Sequence, residues 1–313
     1  MIGQHPYTVV LTHDVDHLCL RKAPFREGGA GSFLKGCLWI NLFRFLRRDL
    51  SLWEYAKGAG IALVYPLVKL GFFFDPWEVA LQDILAMEEK YNARSTFFFI
   101  PFSQEAGFKS RGILAPRSRA ALYNINNYKK LINELALGGW EVGVHGLNAH
   151  LSHEEAEREY KVMADLLPPA MPIGIRMHWL YQTEELWKNA AKGGFYYDAT
   201  YGSNDKVGFP ENKIHPFKRD NIWVIPLNIQ DGTLLKKKYM GLTREKAWTR
   251  VSELMDDARR QRAVITILWH TNVFGPPLYW GNVYEKILKK AILDGARIMR
   301  CVDICKTMEE LSP

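Results

Sequence analysis

Apolar residues along this chain come in two arrangements. Short runs such as YTVVL (7–11), STFFFI (95–100) and VITILW (264–269) are nearly continuous, as strands are when both faces are buried. Longer stretches repeat apolar positions every three or four residues, the spacing of an amphipathic helix. The runs predict strands at 7–13, 95–101, 140–145, 173–177, 195–198, 223–227, 264–269 and 297–302. The helical spacing predicts helices at 76–91, 128–137, 152–166, 184–192, 244–262 and 284–293. Ser152 with Glu155 reads as a capping box, and Thr243 as an N-cap. Strand and helix alternate almost throughout, which implies a parallel sheet, either barrel or doubly wound.

The polar residues favour the barrel. Asp14 and Asp16, His145, Arg176 and His178, Asp198 and His270 all fall at the C-terminal ends of predicted strands. That rim is where barrel active sites form.

Residues 31–74 break the alternation. Phe33, Leu34, Cys37, Leu38, Leu42, Phe45 and Leu46 recur at helical spacing, accompanied by Lys35, Arg44, Arg47 and Arg48. A second apolar stretch, 58–74, is interrupted by Pro66 and Lys69 and is short for a bilayer span. Two readings follow: a helical insertion packed on the barrel, or an interfacial basic and apolar element that touches a membrane.

Composition narrows the class only a little. The chain has 313 residues, 48% of them apolar, enough for one αβ barrel with a large core. Its formal charge of +7 is weak evidence for nucleic acid and suits an anionic ligand or membrane surface equally well. Cys19, Cys37, Cys301 and Cys305 form no CxxC pair, so a reducing compartment is expected. The N-terminus has no secretory-signal pattern, and the expected localisation is cytoplasmic, with contact to the inner face of the membrane as an option.

The chemistry is concentrated in THDVD (12–16) and EVGVHGLNAH (141–150). On a strand Asp14 and Asp16 point the same way. Two carboxylates so close call for a cation. His145 and His150 add imidazoles, and one Asp with two His leaves positions open for water and substrate.

THDVD, STFFFI, EVGVHG with a later His, GIRMHW, YYDATYG, WVIPLNIQD and ITILWH, in this order, resemble polysaccharide deacetylases of the NodB-homology type, carbohydrate esterase family 4 in the broad sense. The blocks cover most of the chain outside 31–74. The resemblance implies a deformed (β/α) barrel of about seven parallel strands, residues 1–313 forming one such domain. It implies one divalent metal held by Asp, His and His, and removal of N-acyl or O-acyl groups from sugars. Asp14 then resembles the general base and Asp16 the metal-binding Asp. His145 and His150 complete the metal site, and Arg176 pairs with the base. His270 resembles the general acid, with Leu268 lining the acyl pocket. Asp231 is expected to orient His270, with Asp198 a second candidate. Zinc is the expected metal, with nickel, cobalt or iron as alternatives.

Two departures stand out. His145 and His150 are five apart where the family pair is His-x-x-x-His, which makes His153 a rival ligand. The Arg block reads Arg176-Met177-His178-Trp179, so Trp179 and His178 become candidate substrate contacts; His17 is a further cleft candidate and His13 should face away. Lys109, Arg111, Arg117 and Arg119 are either a solvated basic loop or a site for substrate phosphates. The expected substrate is an N-acylated sugar or glycan precursor, nucleotide- or lipid-linked. The competing readings are a non-catalytic sugar-binding barrel and a glycosyltransferase whose Asp-x-Asp binds a metal nucleotide.

Overall fold

The computed structural model describes residues 5–23, 29–109 and 112–311. Ten strands form one sheet: β1 (Thr8–Val15), β2 (Thr96–Phe99), β3 (Glu141–Gly146), β4 (Gly174–Met177), β5 (Tyr197–Asp198), β6 (Phe217–Arg219), β7 (Ile222–Val224), β8 (Ile229–Gln230), β9 (Val264–Leu268) and β10 (Arg297–Met299). Their order is β6-β7-β5-β4-β3-β2-β1-β9-β8, with β10 beside the start of β1. Every pairing is parallel except β6 with β7. Among the described residues no pairing joins β7 to β8, so the sheet curls into a half-barrel that is open there. This is the deformed barrel expected from the sequence.

All eight side chains of β1 are buried, so its alternation divides them between two interiors. His13 goes to the helix layer, against Pro76–Lys90 and Gly281–Leu293. Its Nδ1 donates to the Trp269 carbonyl (2.7 Å), and its Nε2 lies 2.9 Å from Glu88 Oε1. Glu88 also accepts from Tyr284, Ser95 and Trp140. Burial disfavours its charge, but these donors outweigh it and lower its pKa. His13 is therefore structural, as expected. Asp14 goes the other way, into the cleft.

The predicted helices appear as Pro76–Lys90, Lys129–Leu137, His153–Ala164, Leu186–Lys192, Arg244–Gln261 and Gly281–Leu293. Ser152 and Thr243 cap two of them. The last predicted strand is cut short. From Cys301 the chain turns into the helix Cys301–Leu311, because Thr96 Oγ1 and Glu141 Oε2 accept the amides of Cys301 and Val302. All four cysteines are free and buried.

Residues 30–70 are helical: Ala30–Lys35, a π-helical turn Gly36–Ile40, Asn41–Leu46, Leu52–Leu63 and Tyr65–Leu70. Phe33, Cys37, Ile61 and Tyr65 pack with Leu20 and Trp77. Gly36 makes the contact close: a Cβ there would lie 2.8 Å from the Pro277 ring. Arg44 donates to the Pro277 and Leu278 carbonyls, while Arg244 pairs with Asp49 and Glu54. The inner side of this element is thus packed. The outer side remains apolar and exposed. No helix among the described residues is long and apolar enough to cross a membrane.

Candidate active site

β1, β2, β3 and β4 are consecutive in the sheet, with His145 in register with Arg176. Their C-terminal ends bring Asp14, Asp16, His145, Arg176 and His178 together, and His270 joins them from the end of β9. His145 Nε2 is 3.6 Å from Asp14 and 3.4 Å from Asp16. His178 Nδ1 is 3.3 Å from Asp16, and His270 Nε2 is 3.7 Å from its other oxygen.

The three atoms at the centre have no proton to share. His145 Nδ1 faces the Arg176 carbonyl at 2.9 Å, and His178 Nε2 faces the Arg119 carbonyl at 3.1 Å. A carbonyl only accepts, so both of those nitrogens carry the hydrogen. With neutral rings, His145 Nε2 and His178 Nδ1 present lone pairs to each other at 2.8 Å. Burial is the main reason His178 stays neutral: it pushes the pKa well below the usual value despite Asp16. Asp16 Oδ1 is buried with no hydrogen-bond partner among the described residues. One carboxylate oxygen and two imidazole nitrogens within 4.8 Å of one another repel unless a cation sits among them. That donor set fits a divalent ion of the zinc type.

The cluster differs from the expected donor set at one position. Its third member is His178; His150 and the rival His153 lie outside it. The loop after β3 is drawn away by Glu159, which accepts the amides of Leu147 and Asn148 at 2.9 and 2.6 Å. His150 is buried, its carbonyl accepts from Thr183, and burial with the nearby Arg119 lowers its pKa to about 4. His153 is exposed and pairs with Glu154. The signal for His178 was present in the sequence. It stands two residues after Arg176, on the same side of an extended chain, as Asp16 does after Asp14. Beyond it the backbone turns sharply: Trp179 and Leu180 have φ of 60° and 53°, costly for side chains of that size. The turn leaves Trp179 exposed beside His178, ring centroids 5.8 Å apart.

Two pairs flank the cluster. Arg176 Nη1 donates to Asp14 at 3.0 Å and to Thr12 Oγ1 at 2.8 Å, and its guanidinium lies over the Phe98 ring. Asp231 holds His270 twice, by the ring Nδ1 at 2.6 Å and by the backbone amide at 3.0 Å. Burial works against a charged His270, but Asp231, with Asp16 behind it, raises the pKa to about 9. Asp198 is corrected as the orienting residue: its oxygens are taken by Thr200 and by Trp187 Nε1. Burial raises its pKa to about 6. Leu268 closes β9 and is buried. His17 stacks on Trp77 at 5.0 Å.

The basic loop divides. Arg119 is buried, not solvated: it donates to the carbonyls of Ala106, Leu147 and His178 and lies over the Tyr181 ring. It is not free for a phosphate. Arg117 is exposed, Lys109 is partly so, and Arg111 lies outside the described residues.

Structural comparison finds solved proteins with the same fold. A protein described as a polysaccharide deacetylase from Pseudomonas aeruginosa PAO1 superposes with a TM-score of 0.60 at 12% identity, over 100% of this chain and 94% of its own. Another so described, from Mycobacterium smegmatis, gives 0.58 at 15%, over 98% and 91%. Puue allantoinase gives 0.59 at 12%, over 99% and 93%. No family model matches the sequence, and no curated protein matches it. The shared feature is therefore the fold, and it is shared by proteins named for different substrates.

Proposed function

We propose that this chain is a metal-dependent deacylase that hydrolyses an N-acyl group, acetyl or formyl, from a sugar or glycan precursor. The observation that carries the reading is the donor set of Asp16, His145 and His178, flanked by Asp14 paired with Arg176 on one side and His270 held by Asp231 on the other. Asp16, His145 and His178 would hold the ion, zinc first, with nickel, cobalt or iron as alternatives. A divalent cation there would acidify a water and polarise the acyl carbonyl. Asp14, kept out of the ligand set by its pairing with Arg176, is placed to take the proton of the attacking water. Arg176 holds Asp14 in place through a guanidinium that is itself fixed by Thr12 and Phe98. His270, protonated at neutral pH through Asp231, is placed to give a proton to the departing nitrogen. Leu268 and Trp179 would line the side where the acyl group and sugar rest, His178 being taken by the ion.

A base and an acid on opposite flanks are more than a sugar-binding barrel needs. An Asp-x-Asp nucleotide site would use both carboxylates on the metal, whereas Asp14 is engaged by Arg176. We take residues 1–313 as one catalytic domain that acts in the cytoplasm on a nucleotide- or lipid-linked precursor in surface polysaccharide synthesis. The test is to measure bound metal in the purified protein, then acetate or formate released from acylated nucleotide sugars and lipid-linked glycans. A protein that neither holds nor takes up a divalent metal overturns the reading.

A further inference from the structure

Thirteen of the twenty-two large hydrophobic side chains exposed among the described residues fall between Leu38 and Phe74. They are not loose ends of a poorly packed segment. The inner side of each helix is buried, through Phe33 and Cys37, Ile61 and Ala62, Tyr65 and Val68. The Arg44 and Arg244 ties and the Gly36 contact lock the element to the 277–280 loop and to the start of the helix Arg244–Gln261. What remains outside is a second apolar side. Trp39 (64% exposed), Phe43 (58%) and Leu46 recur at helical spacing, as do Leu52 (65%) and Leu63 (78%), with Trp53 (75%) and Phe72 also exposed. Patches of this kind on a folded protein mark a binding surface.

The charges around it say what the surface binds. Between residues 29 and 74 the acidic residues are Asp49 and Glu54, and both turn inward to arginines. Lys35, Arg47, Arg48 and Lys57 are exposed. Lys69 donates to the Arg21 and Ala23 carbonyls. An outer face of Trp, Phe and Leu ringed by cations, with its acids withdrawn, is complementary to an interface of acyl chains and anionic headgroups.

We propose that the 30–74 element docks the protein on an anionic lipid bilayer, with its outer face in the headgroup region. A cavity of about 520 Å³ lies between this element and the catalytic side of the barrel. Phe33, Ile40 and Arg47 line it from one side, and Lys236 and Asn272, two residues past His270, from the other. Docking would leave this cavity between the lipid-bound element and the segment that follows His270. Only the further step, that the acylated precursor is held in that same bilayer, rests on the deacylase reading.

Flotation of the purified protein with vesicles tests the docking without any catalysis. Vesicles of phosphatidylcholine alone and of phosphatidylcholine with phosphatidylglycerol are the probes. The wild type is expected to float with the mixed vesicles and to be released by salt. W39D/W53D and R48E/K57E should each lower the bound fraction at least about tenfold. L293D, at an exposed leucine on the helix Gly281–Leu293, should change nothing. All these side chains are exposed, and unchanged circular dichroism checks that the variants fold. Failure of the wild type to float, or flotation that the 30–74 variants leave intact, overturns the proposal. So does a concentration-dependent dimer that W39D/W53D abolishes in the absence of vesicle binding, which would make a second copy the occupant. Release of acyl groups from soluble sugars by a protein that does not float would reject docking and keep the deacylase; flotation with no deacylation would do the reverse.

Discussion

His13 and Asp14 are neighbours on β1, and the two clusters they enter are opposites. Around His13 the ionisable groups are answered: both ring nitrogens have partners, and Glu88 takes hydrogen bonds from His13, Tyr284, Ser95 and Trp140. Around Asp16 the reverse holds, with two lone pairs facing each other and a buried oxygen that nothing donates to. Both clusters are buried and rich in His and carboxylate, so composition does not tell them apart. Satisfaction does. A polar network that closes on itself serves folding, and one left open by the same backbone needs something from outside.

The comparison breaks most visibly at His178. His178→Ala is expected to abolish tight metal binding and with it activity, while His150→Ala leaves metal content unchanged; metal analysis of the two variants decides. The opposite pattern would return the third ligand to the loop after β3. Next comes Asp14→Asn, expected to lower kcat about 10²–10⁴-fold with full metal content. Loss of metal in that variant would mean that Asp14 and Asp16 have exchanged roles.

On the closed side, Glu88→Ala strands four donors at once. It should cost about 3–5 kcal/mol in denaturant unfolding and leave the metal site competent in whatever fraction folds. A stable Glu88→Ala variant lacking metal would erase the distinction between the two networks. Glu159 is an intermediate case, since one oxygen accepts two amides and the other, buried, accepts none. Burial raises its pKa to about 7, against the usual 4.5. The folded state thus holds this proton more tightly than the unfolded state. The resulting stability is present below about pH 4.5, declines as pH rises, and is gone above about pH 7. Glu159→Gln should therefore be more stable than wild type at pH 8, by about 1–3 kcal/mol, and converge with it towards pH 5. Equal melting temperatures at both pH values would contradict this.

Most of the barrel was legible because buried parallel strands are written as apolar runs. β6 and β8 were not, being three and two residues long and carrying too little sequence for any period. The helix Cys301–Leu311 was hidden behind strand-like residues; what starts it is Thr96 and Glu141, far away in the chain. In the site, residues fixed by alternation along a strand could be placed, Asp14 and Asp16 above all. His150 misled because a loop has no period, and the pull of Glu159 on that loop comes from the following helix. Arg119 misled for a related reason: a cation in a basic stretch gives no sign that three carbonyls will bury it.

Arg119 has one further consequence. Its guanidinium grips the backbone of His178, while its own carbonyl receives the ring of the same histidine. Loop and ligand are latched in both directions, and the latch stands at the far end of the connection from β2. An engineer wishing to change what the cleft accepts thus has a span with one fixed terminal. A shift of Arg119 by a single position would re-aim the nitrogen that completes the donor set.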